Sequence, residues 1–192
     1  MSLIGLAGDS NMIRVSRGFA GSLTTDAVGH TTMVAGAGGA WIRWSGCVFG
    51  LGCADPTATD FWERRLGTLP TPAAWICGLG VNDCPIAGTA QGRGYAWYGT
   101  KIDYMMGLFG PVPVLWTNLP VGLLRADYQP GATTINQSLY NAQPRWPNLR
   151  FVQWRSVAEP HPEYIDPDGI HLSDAGQAAY VNLVVAELAT VL

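Results

Sequence analysis

Five short apolar runs punctuate the chain, at residues 3–8, 31–36, 73–79, 112–117 and 149–154. They are almost free of charge and bounded by Gly or Pro, the pattern of strands buried on both faces of a parallel sheet. Pro113 interrupts the fourth run. A proline cannot donate to a ladder, so that run either occupies an edge or starts a little later. Longer stretches with helical periodicity lie between the runs. One covers 57–66 after Asp55-Pro56, one covers 94–109 despite its glycines, and one covers 133–142 and stops before Pro144. The last begins after Ser173, a suitable cap, and repeats Ala178, Val181, Val185, Leu188 and Leu192 at spacings of three and four. Strands alternating with helices imply right-handed crossovers. The expected architecture is a three-layer α/β/α sandwich with a five-stranded, mostly parallel sheet.

Composition narrows this picture without redirecting it. The 192 residues are 48% hydrophobic and 13% charged, which excludes a disordered chain. No repeat, charge block or linker divides the sequence, so residues 1–192 read as one domain. A net charge of −3 advertises no nucleic-acid partner. No apolar run reaches the ~20 residues of a membrane span, so no integral membrane segment is expected. The N-terminus lacks a basic stretch followed by a long apolar one, which predicts no signal peptide. The default location is then cytoplasmic, with a virion-associated or otherwise exported protein as the alternative.

Cys47, Cys53, Cys77 and Cys84 form no Cys-x-x-Cys pair and the three histidines do not cluster with them, so no metal site is expected. Buried free thiols are the first reading. A disulfide within 45–54, or from there to Cys84, is the second. Of the eight tryptophans, Trp75, Trp116 and Trp154 fall in predicted strands and read as core. Trp41 and Trp44 wall an acyl or sugar pocket or cover a sheet edge.

In open α/β sheets, ligands bind beyond the carboxyl ends of the strands. The residues there are Asp9-Ser10-Asn11 after the first run, Gly38-Gly39 after the second, and Gly80-Val81-Asn82-Asp83 after the third. Asp166-Pro167-Asp168-Gly169-Ile170-His171 comes after the fifth, just before the last helix. A hydroxyl, a glycine backbone, a carboxamide and a carboxylate–imidazole pair on one rim are the parts of an acyl-transfer site. Singly, each has a plainer meaning: a capped turn at Gly-Asp-Ser, a turn at Asn82-Asp83, a structural histidine at 171. Asp9 and Asp83 read as loop-fixing acceptors for backbone N–H groups. His30 and His161 receive no role.

Gly8-Asp9-Ser10, Gly80-x-Asn82-Asp83 and Asp168-x-x-His171 resemble blocks I, III and V of the SGNH (GDSL-like) hydrolase family, in the family's order and across almost the whole chain. By chance all three, each past a predicted strand, should occur in fewer than about one chain in a thousand. The resemblance implies a serine esterase that needs no cofactor. Ser10 is then the nucleophile, His171 the base, and Asp168 the group that orients the imidazole and stabilises its charged form. The oxyanion hole is implied to be the Ser10 N–H, the Asn82 side-chain amide and the N–H of Gly39, with Gly38 and then Gly46 as weaker choices. A helix starting at Ser10 adds its positive end there. Asn11 departs from the name-giving motif, which has leucine. The stretch between Gly39 and Asn82 is longer than in compact members, and no Gly-x-Ser-x-Gly elbow of an ordinary α/β-hydrolase is present. The expected substrate is a short acyl or acetyl ester, with lipid and acetylated-glycan esters open. Acyltransferase or thioesterase activity, and a non-catalytic surface-binding module on the same scaffold, are the alternatives.

Overall fold

Apolar runs carry backbone polar groups that must be paired once they leave water, and here they pair with one another. The computed structural model describes residues 2–25, 31–34, 47–48, 52–53, 63, 66–87 and 94–192. Strands β1 (Leu3–Gly8), β2 (Thr31–Val34), β5 (Ala74–Gly78), β6 (Val114–Thr117) and β7 (Leu149–Val152) form one sheet in the order β2-β1-β5-β6-β7. Every pairing in it is parallel. The short strands β3 (Cys47–Val48) and β4 (Gly52–Cys53) pair antiparallel, with Cys47 opposite Cys53 in the backbone register. β6 lies between β5 and β7 and begins at the residue after Pro113, so the later start is correct and the edge position is not.

The period-two alternation of the strands decides what covers each face. Trp75, Cys77, Val114 and Trp116 point to the side packed by helices α2 (Tyr95–Phe109) and α3 (Gln129–Ala142), through Tyr98, Ile102, Met105, Ile135 and Leu139. Ile4, Leu6, Ile76 and Leu115 point to the opposite side. There they meet Met12, Val15 and Phe19 of α1 (Ser10–Thr25) and Tyr180, Val181 and Val184 of α5 (Asp174–Leu188). The result is the α/β/α sandwich, with the first and last helices side by side and Phe19 edge-on to Tyr180 at 6.1 Å.

Three details depart from the sequence pattern. Helix α1 is not among the helices that the apolar periodicity marks: its apolar stripe at 12, 15 and 19 is diluted by Gly18, Gly21 and many Ser and Thr. Helix α3 starts at Gln129, four residues before the expected 133, because Pro130 sits in the first turn, where its missing N–H costs nothing. Trp154 opens the short helix α4 (Trp154–Ala158) rather than ending a strand, yet it is buried as expected, at 3% exposure. The expected helix at 57–66 falls almost wholly outside the described residues. Cys77 and Cys84 are buried thiols, and the Cys84 Sγ donates to the Gly80 carbonyl, so no bridge to Cys84 forms.

Candidate active site

The Gly8–Gly78 pairing at the end of β1 and β5 brings the segments beyond both strands to one edge of the sheet. After β1 the chain turns directly into α1. Asp9 caps that helix: its C=O accepts from Ile13 N–H at 3.1 Å and its Oδ1 accepts from Asn11 N–H at 2.9 Å. Ser10 is therefore the first helical residue, and its N–H is among the first-turn donors that a helix cannot satisfy internally. After β5, Gly80 adopts φ +136°, a region that L side chains rarely enter, and starts a 3-10 turn at Val81–Asp83. Asn82 is half-buried on that turn.

The third contribution comes from the segment before α5. Asp166 N–H donates to His171 C=O at 2.7 Å, Ile165 and Leu172 form an antiparallel bridge, and Gly169 turns the chain at φ +67°. Within this small hairpin Asp168 folds back on His171. Its Oδ1 accepts the backbone N–H groups of Ile170 and His171 at 2.8 and 2.9 Å, and its Oδ2 lies 2.6 Å from His171 Nδ1. His171 Nε2 lies 2.9 Å from Ser10 Oγ, across 161 residues of sequence. Donation from Nδ1–H to the carboxylate leaves Nε2 as an acceptor facing the hydroxyl. Ser10, His171 and Asp168 are thus brought together. Gly39, Gly38, Gly46, Trp41, Trp44 and His30 lie outside the described residues.

Two carboxyl groups are tuned in opposite directions. Partial desolvation pushes Asp168 up, but the hydrogen bonds from the His171 N–H, the imidazole and the Ile170 N–H outweigh it and bring the carboxyl down to about 2. Asp9 is completely buried. Desolvation lifts it to about 7 against the pull of the Asn11 N–H, and neighbouring Asp83 adds to the rise. Its Oδ2 is the one buried side-chain polar atom among the described residues that lacks a partner. Asp9 thus does fix its loop through a backbone N–H, and it does so as a carboxyl held near neutrality. His161, given no role by the sequence, pairs with Glu163 at 2.8 Å and stacks on Tyr164 at 4.6 Å.

A recess of about 40 Å³ opens between the strand ends, walled in part by the residues that flank Ser10 and His171 in sequence and not by those two themselves. Asp9, Asn11, Gly78, Thr117, Leu124 and Ile170 are among its walls, and most of its lining is apolar. No three His, Cys, Asp or Glu side chains cluster as a metal site among the described residues. No described helix is long and apolar enough to cross a membrane.

No protein-family model matches the chain. The O-acetyltransferase OatA of Staphylococcus aureus is 29% identical over 99 residues, which are 52% of this chain and 15% of that protein. The chain thus matches only a small part of this much longer relative. Among solved structures, the lipase/acylhydrolase of Enterococcus faecalis superposes with a TM-score of 0.69 at 18% identity, over 98% of this chain and 95% of that one. A GDSL-like lipase of Bacteroides thetaiotaomicron gives 0.65 at 15% identity, over 100% and 89%. The chain has the fold of the SGNH (GDSL-like) hydrolases. Another bearer of the SGNH fold is the C-terminal catalytic domain of Streptococcus pneumoniae peptidoglycan O-acetyltransferase A, with a TM-score of 0.64 at 15% identity over 99% and 94%. The fold is thus shared with a lipase/acylhydrolase, a GDSL-like lipase and the catalytic domain of a peptidoglycan O-acetyltransferase.

Proposed function

We propose that the protein is a serine esterase of the SGNH type, a single domain over residues 1–192 that cleaves short acyl or acetyl esters through an acyl-enzyme. The observation that carries this reading is the relay Ser10 Oγ–His171 Nε2–His171 Nδ1–Asp168 Oδ2, at 2.9 and 2.6 Å. Ser10 attacks the ester carbonyl as His171 takes its proton, and His171 then returns that proton to the leaving alcohol. Asp168 fixes the tautomer and stabilises the imidazolium. The oxyanion of the tetrahedral intermediate is held by the Ser10 N–H at the positive end of α1, the Asn82 amide and the Gly39 N–H. A second attack, by water, frees the enzyme.

The likeness to OatA proteins favours a second reading, in which the acceptor of the acyl group is a glycan hydroxyl instead of water. One experiment addresses both. The protein is incubated with p-nitrophenyl acetate, butyrate and octanoate, with and without a chitooligosaccharide. We expect acetate and butyrate to turn over, a fluorophosphonate probe to label Ser10, and Ser10→Ala to lose at least about a thousandfold in rate. Undiminished turnover in Ser10→Ala removes the nucleophile assignment. Acetylated sugar among the products moves the protein to the transferase reading. A folded protein that neither turns over ester nor accepts the probe is a binding module.

A further inference from the structure

The residue that breaks the motif, Asn11, does something leucine cannot. Its side chain lies against the hairpin that carries His171. Nδ2 donates to the Ile170 carbonyl at 3.2 Å and Oδ1 accepts the Leu172 N–H at 2.9 Å. One carboxamide thus bonds the backbone on both sides of the histidine, in the manner of a neighbouring strand. Asn11 is also the residue after Ser10, on the first turn of the same helix.

The other contacts of the hairpin show why this pair matters. The Asp166–His171 bond, the Ile165–Leu172 bridge and the two N–H groups held by Asp168 fix its internal shape. None of them ties it to Ser10. Arg14, further along α1, reaches Asp166 at 2.9 Å and the Leu172 carbonyl at 3.4 Å, but on a side where both ionic groups are more than a third exposed. Such a pair is screened by water and fixes little. Arg125 N–H holds the far tip at the Gly169 carbonyl, on another element. The half-buried Asn11 amide comes from the residue next to Ser10 and bonds the residues on either side of His171, while Gln177 of α5 reaches only the Leu172 carbonyl, at 3.2 Å.

We infer that Asn11 is a positioning residue: its paired hydrogen bonds to Ile170 and Leu172 set the approach of the His171 imidazole to the Ser10 hydroxyl. The inference rests on the esterase reading above. Proton transfer between the two groups depends steeply on their separation, and a misplacement of about 1 Å costs on the order of a hundredfold in rate. The Asn11 carboxamide is spent on its two backbone partners and bonds none of the reacting atoms. Its loss therefore acts on kcat and spares KM.

The test compares the wild type, Asn11→Leu, Asn11→Ala and Ser16→Ala on p-nitrophenyl acetate, well below each protein's unfolding temperature. Ser16 serves as control because its hydroxyl bonds only within the exposed face of the same helix, to Ile13 C=O. We expect kcat to fall about tenfold to a hundredfold in both Asn11 variants, with KM within about threefold of the wild type and folded circular dichroism. The Leu172 amide should also exchange with deuterium faster in both variants, while Ser16→Ala matches the wild type. Variants that keep kcat within about threefold overturn the inference. So do variants that lose activity only in proportion to folded protein, or Leu and Ala variants that both fail to fold, since Asn11 would then serve the fold alone. A wild type that turns over no ester overturns the esterase reading itself, and this inference with it.

Discussion

At the scale of single residues, the candidate site sets one strongly ionised carboxyl against one held near neutrality. Asp168 sits in the hydrogen-bonded turn and stays charged down to about pH 2. Its exposed position means that removing its charge changes stability little. For the reaction the loss is large. In Asp168→Asn the amide can present an N–H to the imidazole and favour the wrong tautomer. We expect kcat on p-nitrophenyl acetate to fall by about a thousandfold or more, with a thermal midpoint close to that of the wild type. A thermal midpoint that collapses with the rate would instead make Asp168 a structural residue. The meeting of Ser10, His171 and Asp168 was legible in the sequence because motifs with fixed spacing carry them. Asn11 was legible only as an exception. Its role depends on where a hairpin 159 and 161 residues away comes to rest, and no local pattern encodes that.

At the scale of elements, side-chain amides do the work that ladders cannot. The segment after β6 leaves the sheet with Leu119 buried. Asn136 of α3, itself 4% exposed, accepts the Leu119 N–H at 2.8 Å and donates to its carbonyl at 2.9 Å. Asn118 next to it accepts the Arg155 N–H at 2.7 Å and so ties the same segment to α4. Truncating Asn136 leaves a donor and an acceptor buried without partners, at roughly 1–3 kcal/mol each. Asn136→Ala should lose about 2–5 kcal/mol in a urea titration with little change in slope. A loss below about 1 kcal/mol would mean that water replaces the amide. The strands and the α5 cap were readable from apolar runs and from Ser173, whose hydroxyl does accept the Gly176 N–H. The first residues of α3 were not. Gln129-Pro130-Gly131 reads locally as a turn, whereas in the fold Pro130 takes a first-turn helical position and Gly131 lies against the Cys84 backbone.

For the whole molecule, the buried Asp9 links stability to pH. Unfolded, it titrates near 3.8; folded, near 7. Below the lower value both states hold the proton. Between the two values the folded state keeps a proton that the unfolded state has released. Stability therefore falls as pH rises across that window and levels off above it. The span corresponds to roughly 4 kcal/mol at most. Asp9→Asn keeps an oxygen for the Asn11 N–H and removes the titration. Its unfolding free energy should be flatter between pH 4 and 7 than that of the wild type, and parallel profiles would show that Asp9 is not the group responsible. The fold class was legible at this scale, since five apolar runs separated by helices admit few arrangements, and the parallel order observed is one of them. The state of Asp9 was not legible, because burial belongs to the assembled sandwich and not to Gly-Asp-Ser.

The span between hydroxyl and imidazole has a further consequence. Ser10 rides on the second element of the chain and His171 just ahead of the last, and the helix that begins at Ser10 presses against the one that begins just past His171 on one face of the sheet. No contiguous half of the polypeptide contains the chemistry. A fragment that stops short of residue 168 would carry the hydroxyl without its imidazole, so the proposed chemistry begins only once the segment before α5 has been made and has docked on α1.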